Sequence, residues 1–256
     1  MRFDLVRFHS LLQTTAIGAS LEYEPVVGST MDVARGAGHA GAPHGHTVLA
    51  DEQTAGRGRF GRRWVAPPGA NLTFTLVVRP SLAALERLSM IAALAVADGV
   101  RETAGVQPLF KWPNDVLIDG RKLAGILIEA EFAGDRPAFA LVGIGLNVNA
   151  ETAADREIAE IAVSLRDLTG HELSREAVLA AVLGSFERWY GQASEPAVLE
   201  AWSSRLMTLG GEISVSFRGD VESGIAESVS DAGALRLRRA DGSLIELAAG
   251  EVTTRT

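Results

Sequence analysis

Residues 109–129 read LFKWPNDVLIDGRKLAGILIE, and this stretch decides the architecture. Two short β-prone runs, 109–112 and 116–118, flank Pro113-Asn114-Asp115. Asp119-Gly120 then supplies a two-residue turn of the kind that matches the twist of an antiparallel hairpin. A strand over 123–129 follows, and FALVGIGLNV at 139–148 is another. Strands joined directly by turns predict an antiparallel sheet rather than repeated strand–helix–strand units.

Outward from this hairpin, LEYEPVV (21–27), TVLA (47–50) and LTFTLVV (72–78) read as further strands, rich in β-branched and apolar residues. Ser29 sits at a helix start, with Asp32 three residues on as a loose capping box. Residues 36–45 and 51–70 read as loops rich in glycine and proline. Leu and Ala at three-to-four spacing predict a helix over 81–105. Helices are also expected over 153–168, 174–190 and 195–207, the last with Pro196 in its first turn. Residues 1–20 show no strong period. After Leu209-Gly210-Gly211 the texture changes to short alternating runs punctuated by Gly219, Gly224, Gly233 and Asp241-Gly242. Such spacing predicts a small β-barrel of about 45 residues. The expected class is therefore α+β, with a mainly antiparallel domain over 1–208 and a barrel over 209–256.

Composition narrows the function. The chain has 256 residues, no cysteine, 47% apolar residues and a net charge of −8. Absent cysteine removes disulfides, cysteine-ligated metals and a thiol nucleophile. The acid excess argues against general nucleic-acid binding, which needs a basic face. The longest clean apolar run, 90–97, falls short of the roughly 18 residues a membrane span needs. The first residues, MRFDLVRFHSLLQ, have no apolar signal region. A soluble cytoplasmic protein is expected, with neither nucleic acid nor membrane as partner. His39, His44 and His46 lie near one another, but in a loop without an organised carboxylate they make a poor metal set. Asn71-Leu72-Thr73 has the pattern of a glycosylation sequon, which a cytoplasmic chain would not use.

Of the 24 basic residues, 22 are arginine, and the two lysines, Lys111 and Lys122, fall in one short segment. A lysine kept in so arginine-biased a chain points to a need for a compact ammonium rather than a planar fork. The segment GRGRFGRRW, 56–64, places four arginines in seven residues. Residues 56–61 satisfy G-x-G-x-x-G, but the segment runs into Trp64, Pro67-Pro68 and a strand instead of a helix, so it is no dinucleotide fingerprint. Glycines let the backbone approach a ligand, and guanidinium pairs phosphate bidentately. A phosphate-handling loop and a solvated basic turn are the two readings. GIGLNVN, 143–149, places glycines inside a strand, marking close approach of a ligand or another backbone.

Taken together, GRGRFGRRW, KWPNDV, RKLAGILIE and GIGLNVN, in this order, resemble the biotin protein ligases over about residues 20–250. Ser29-Thr30 after a strand and Gln53 before the arginine loop match that family as well. The resemblance implies a catalytic domain like those of class II aminoacyl-tRNA and biotin synthetases, plus a C-terminal SH3-like barrel. It implies a two-step reaction. Biotin and ATP give biotinoyl-5′-AMP, and a lysine of an apo biotin carboxyl carrier protein then takes the biotin. ATP, Mg²⁺ and biotin would be the small-molecule requirements. By the same resemblance, Lys122, Arg57 and Asp115 would be catalytic. Biotin would meet Ser29, Thr30, Met31, Gln53, Arg57, Gly58, Arg59, Lys122 and Gly125. The nucleotide would meet Arg59, Arg62, Trp64, Lys111, Asn114, Asp115, Lys122 and Asn147, and Asn114 with Asp115 would hold the metal. Met31 departs from the family, which usually has Asn there. Only 28 residues precede Ser29, so a monofunctional enzyme without a DNA-binding domain is expected. Homodimers formed by a sheet edge occur in the family. A lipoate or octanoate ligase and a non-catalytic biotin or nucleotide sensor are the alternatives.

Overall fold

Two sheets organise the chain in a computed structural model that describes residues 2–154, 156–217 and 219–254. In chain order come α1 (Leu5–Leu11), β1 (Leu21–Val27), α2 (Thr30–His39), β2 (His46–Gln53) and β3 (Leu72–Val78). Then follow α3 (Leu82–Ala104), β4 (Leu109–Lys111), β5 (Asp115–Ile118), β6 (Arg121–Ala133) and β7 (Arg136–Leu146). Next are α4 (Arg156–Ile161), α5 (Leu165–Thr169), α6 (Arg175–Tyr190) and α7 (Pro196–Ser203). Strands β8 (Glu212–Phe217), β9 (Asp220–Val229), β10 (Leu235–Arg238), β11 (Leu244–Leu247) and β12 (Glu251–Thr254) end the chain.

The first sheet has the order β1-β2-β3-β7-β6-β5-β4. Its pairs are antiparallel except β1 with β2, which run parallel because α2 carries the chain across between them. The Asp119-Gly120 turn has positive φ at both residues, 49° and 76°, as the hairpin requires. Alternation along β7 explains how the sheet is covered. Ala140, Val142, Ile144 and Leu146 join the cluster that contains α3, whereas Phe139 and Leu141 join Met31 and Ala34 of α2. Side chains on a strand alternate faces, so α2 and α3 lie on opposite faces, and Gly143 and Gly145 face the α2 side. Ser81 caps α3 by accepting from the Ala84 N–H, and Gly105, at φ 69°, ends it in the left-handed conformation. Each fully buried leucine of that helix, Leu88 and Leu94 among them, stabilises the fold by roughly 1.5–3 kcal/mol.

The second sheet is antiparallel in the order β11-β10-β9-β8-β12. Its inward residues Ile213, Val215, Ala226, Leu235, Leu237 and Val252 belong to the same hydrophobic cluster as α3. Trp112 pins the two sheets together: its indole N–H donates to the Gly233 carbonyl at 2.9 Å, and its backbone N–H donates to Thr208 Oγ1 at 2.9 Å.

Several elements differ from expectation. The first twenty residues contain α1, capped by Asp4. Helix α2 runs to His39, through part of the expected 36–45 loop, and β2, β6 and the start of β7 are longer than the sequence suggested. Helix α7 stops at Ser203, short of Met207. The single helix expected over 153–168 is broken. The Val163 N–H donates to the Lys122 carbonyl at 3.0 Å, drawing that segment alongside β6, and Ser164 starts a new helix with a full capping box to Asp167. At Ser29 no capping box forms: Ser29 is the N-cap residue, but its hydroxyl makes no cap hydrogen bond. Among the described residues, no helix is long and apolar enough to cross a membrane.

Candidate active site

A cavity of about 800 Å³ opens between the α2 face of the sheet, the 56–68 loop and α4. Its floor is laid by strand register. Thr75, Gly143 and Leu127 form one row across β3, β7 and β6, and Thr73, Gly145 and Gly125 form the next. The bare glycines let other groups lie on the sheet. A Cβ on Gly145 would come within 2.3 Å of the Trp64 indole, and one on Gly143 within 2.7 Å of Met31 Sδ. No side chain fits at either place without displacing its neighbour.

One end of the cavity is polar and uncharged. The Thr30 N–H donates to Gln53 Oε1 at 2.8 Å, and Thr30 Oγ1 donates to the same oxygen at 3.1 Å. Thr30 Oγ1 also lies 2.9 Å from Thr75 Oγ1. Gln53 thereby serves the N-terminus of α2 that Ser29 was expected to serve. Ser29 is 1% exposed, and its Oγ has no hydrogen-bond partner among the described residues. A buried hydroxyl left so costs about 1–3 kcal/mol, which a ligand on this wall would recover.

The other end is cationic. Lys122 Nζ stands 2.7 Å from Asp115 Oδ1. The contact is an ion pair without hydrogen-bond alignment, since Asp115 Oδ1 has no well-directed donor among the described residues. The ammonium also lies 5.8 Å from the centroid of the Trp64 ring, and the Trp64 Nε1 is buried without an acceptor among the described residues. Around it the 56–64 loop folds back on itself, with the Gly58 N–H on the Arg62 carbonyl at 2.7 Å and the Trp64 N–H on the Gly56 carbonyl at 3.0 Å. Its arginines are held apart by acids and carbonyls. Arg57 pairs with Asp32 of α2 at 2.7 Å, with Glu129 further off at 3.8 Å. Arg59 donates to Asn114 Oδ1 at 3.0 Å and to the Gly250 carbonyl at 3.3 Å. Arg62 pairs with Glu251 of β12 at 2.7 Å. Burial holds the Arg59 guanidinium below its ordinary pKa, and repulsion from Arg62 adds to this, against the pull of Asp115 and Glu251.

The structure therefore brings Ser29, Thr30, Met31, Gln53, Arg57, Gly58, Arg59, Arg62, Trp64, Asn114, Asp115, Lys122, Gly125 and Asn147 to one cavity. It does not bring Lys111 there: Lys111 ends β4 opposite Asp115 in register but does not line the cavity. The Asn147 amide is already engaged. It donates to the Lys122 and Val163 carbonyls at 3.2 and 3.3 Å and accepts from Asn71 at 3.0 Å, so it braces the backbone of Lys122. Sequence reasoning missed Thr73, which lines the cavity, and the buried Thr75, which meets Thr30; their signal was two hydroxyls at alternate positions of an apolar strand. It also missed Ile158 and Ile161 of α4, which complete the rim. The three histidines disperse: His39 packs on Phe139, His44 on Tyr190, and His46 Nδ1 meets the Ser20 hydroxyl at 2.8 Å. Among the described residues no three His, Asp or Glu side chains gather closely enough to hold a metal.

A slot with an uncharged polar end and a cationic end suits an organic acid whose carboxylate meets a phosphate-bearing co-substrate. The family model for the biotin/lipoate A/B protein ligases matches residues 23–147. The biotin–[acetyl-CoA-carboxylase] ligase of Paracoccus denitrificans is 41% identical over 203 residues, covering 75% of this chain and 83% of that protein. The bifunctional ligase/repressor BirA of Bacillus subtilis is 35% identical over 238 residues, covering 90% and 73%. Among solved structures, the biotin protein ligase of Aquifex aeolicus in complex with biotin and ATP superposes with a TM-score of 0.76 at 27% identity, covering 93% of this chain and 99% of that one. The chain belongs to the biotin protein ligase family.

Proposed function

We propose that the protein activates biotin with ATP as biotinoyl-5′-AMP and transfers it to a lysine of the biotin carboxyl carrier protein of an acyl-CoA carboxylase. The observation that carries this reading is the unpartnered, buried Ser29 hydroxyl beside Thr30 and Gln53, at the far end of a slot that leads to Lys122. A ureido ring offers two donors and one acceptor, all costly to bury unpaired. Ser29 Oγ can accept from one ring N–H, and the Gln53 NH₂ can donate to the ring carbonyl.

The acid's carboxylate is ionised at neutral pH and needs no general base. It needs cations, because it must approach a triphosphate of the same sign. Lys122 can hold a carboxylate oxygen and an α-phosphate oxygen at once, as a compact ammonium with three donors. The carboxylate oxygen then bonds to the α-phosphorus, the bond to the bridging oxygen breaks, and pyrophosphate leaves. Arg57, Arg59 and Arg62 would take the phosphates, each giving up an acid or carbonyl that phosphate can replace. In the second step the carrier's amine attacks the acyl carbon and AMP departs. Trp64, laid over the glycine floor, keeps water from the adenylate.

Magnesium fits here only as a companion of the nucleotide. Asn114 Oδ1 is taken by Arg59, which leaves Asp115 as the carboxylate at hand. One carboxylate plus substrate phosphates is an ordinary magnesium environment. The ion would neutralise phosphate charge. Residues 1–208 would carry the chemistry and 209–256 the barrel, in a cytoplasmic enzyme whose macromolecular partner is the apo carrier.

The test is incubation of protein, biotin and MgATP with apo carrier domain, followed by intact mass. A gain of one biotin is expected, and Lys122→Ala should lower the rate by about 10²–10³-fold, as loss of a group stabilising developing charge does. No mass gain with the parent protein would refute the assignment.

A further inference from the structure

Two side chains roof the two glycine rows of the floor. Trp64 lies over Gly145 and Gly125, near Lys122, while Met31 lies over Gly143 in the row of Thr75 and Leu127. Met31 follows Ser29 and Thr30 in the first turn of α2, so it is the side chain next to the uncharged polar end. It is 4% exposed, yet it lines the cavity. Behind it stand Ala34, Val48, Val77, Phe139 and Leu141, the buried cluster to which Met31 belongs. Its Sδ would come within 2.7 Å and its Cγ within 3.4 Å of a Cβ on Gly143.

We propose that Met31 is a specificity-determining residue of the acid subsite. Its thioether, laid across Gly143, sets the depth of the slot that receives the ring system of the acid. This rests on the reading of the cavity as the site of biotin activation. An unbranched thioether is a deformable wall. It adjusts by rotation about its own bonds to a folded bicyclic head and resists a bulkier one. Shortening it deepens the slot by the volume of three heavy atoms.

The probes are biotin and biotin sulfone, which carries two additional oxygens on the ring sulfur. The measurement is acid-dependent exchange of pyrophosphate into ATP by the parent protein, Met31→Ala and Met31→Leu, with melting midpoints recorded for each. The parent should prefer biotin. In Met31→Ala the ratio of kcat/KM for sulfone over biotin should rise about tenfold or more, the scale on which apolar pockets discriminate by size, and KM should carry more of the change than kcat. Met31→Leu, close to Met in volume but branched and less deformable, should fold like the parent and lower the ratio by about threefold. If Met31→Ala does not fold, Met31→Leu alone decides. A ratio unmoved in the folded variants, with both acids losing equally, would reduce Met31 to core packing and overturn the proposal. A parent that exchanges no pyrophosphate with biotin would instead overturn the reading of the cavity.

Discussion

Ser29 shows how a single residue can be legible in kind and wrong in role. Its position at a helix start was readable from Ser29-Thr30-Met31-Asp32, and the local pattern pointed to a capping box. The structure gives that work to Gln53, on a different strand, because β2 runs beside β1 and delivers its end to the start of α2. No local pattern encodes such a substitution. Since Ser29 Oγ bonds to nothing among the described residues, Ser29→Ala should leave the unfolding midpoint unchanged or slightly raised. Biotin affinity should fall by about tenfold, the worth of one hydrogen bond of about 1–1.5 kcal/mol. Calorimetric titration alongside thermal melting checks both, and a destabilised variant with unaltered biotin affinity would contradict this account. Lys122 was more readable, because composition isolated it: where arginine is the rule, two lysines attract notice, and Lys111 shows that the same signal also marks a residue outside the cavity.

At the scale of elements, the arginine loop was plain in the sequence but its anchorage was not. It docks on the end of the C-terminal sheet through Arg62–Glu251, the Arg59 bond to the Gly250 carbonyl and an edge contact of Phe60 with Phe217 at 6.3 Å. These partners lie more than 150 residues away in sequence, beyond any motif. Exposed ion pairs contribute about 0–1 kcal/mol each, so the loop is held lightly. Glu251→Ala should therefore move the melting midpoint very little, while tryptic cleavage within 56–64 becomes severalfold faster. Equal cleavage rates would show that the loop does not depend on β12. The break between α4 and α5 was in fact written in the sequence, since Ser164-x-x-Asp167 is a capping box, but the apolar rhythm running through 153–168 hid it. The main-chain bond from Val163 to Lys122 accounts for why the chain stops there.

For the molecule as a whole, the antiparallel pairing of the strands on either side of the 119–120 turn followed from turn chemistry, and the parallel β1–β2 pair did not. The tryptophan that precedes Pro113 belongs to one of the motifs that carry the family resemblance, yet its indole reaches away from the cavity to Gly233. Part of that motif is thus architectural. Because Ile213, Val215, Leu235 and Val252 share an unbroken apolar interior with α3 and Trp112, neither half has a boundary along which it could melt by itself. Heating should produce one calorimetric transition whose van't Hoff and measured enthalpies agree. Lesions deep in the small sheet should then surface as lost adenylation long before they touch any reacting atom.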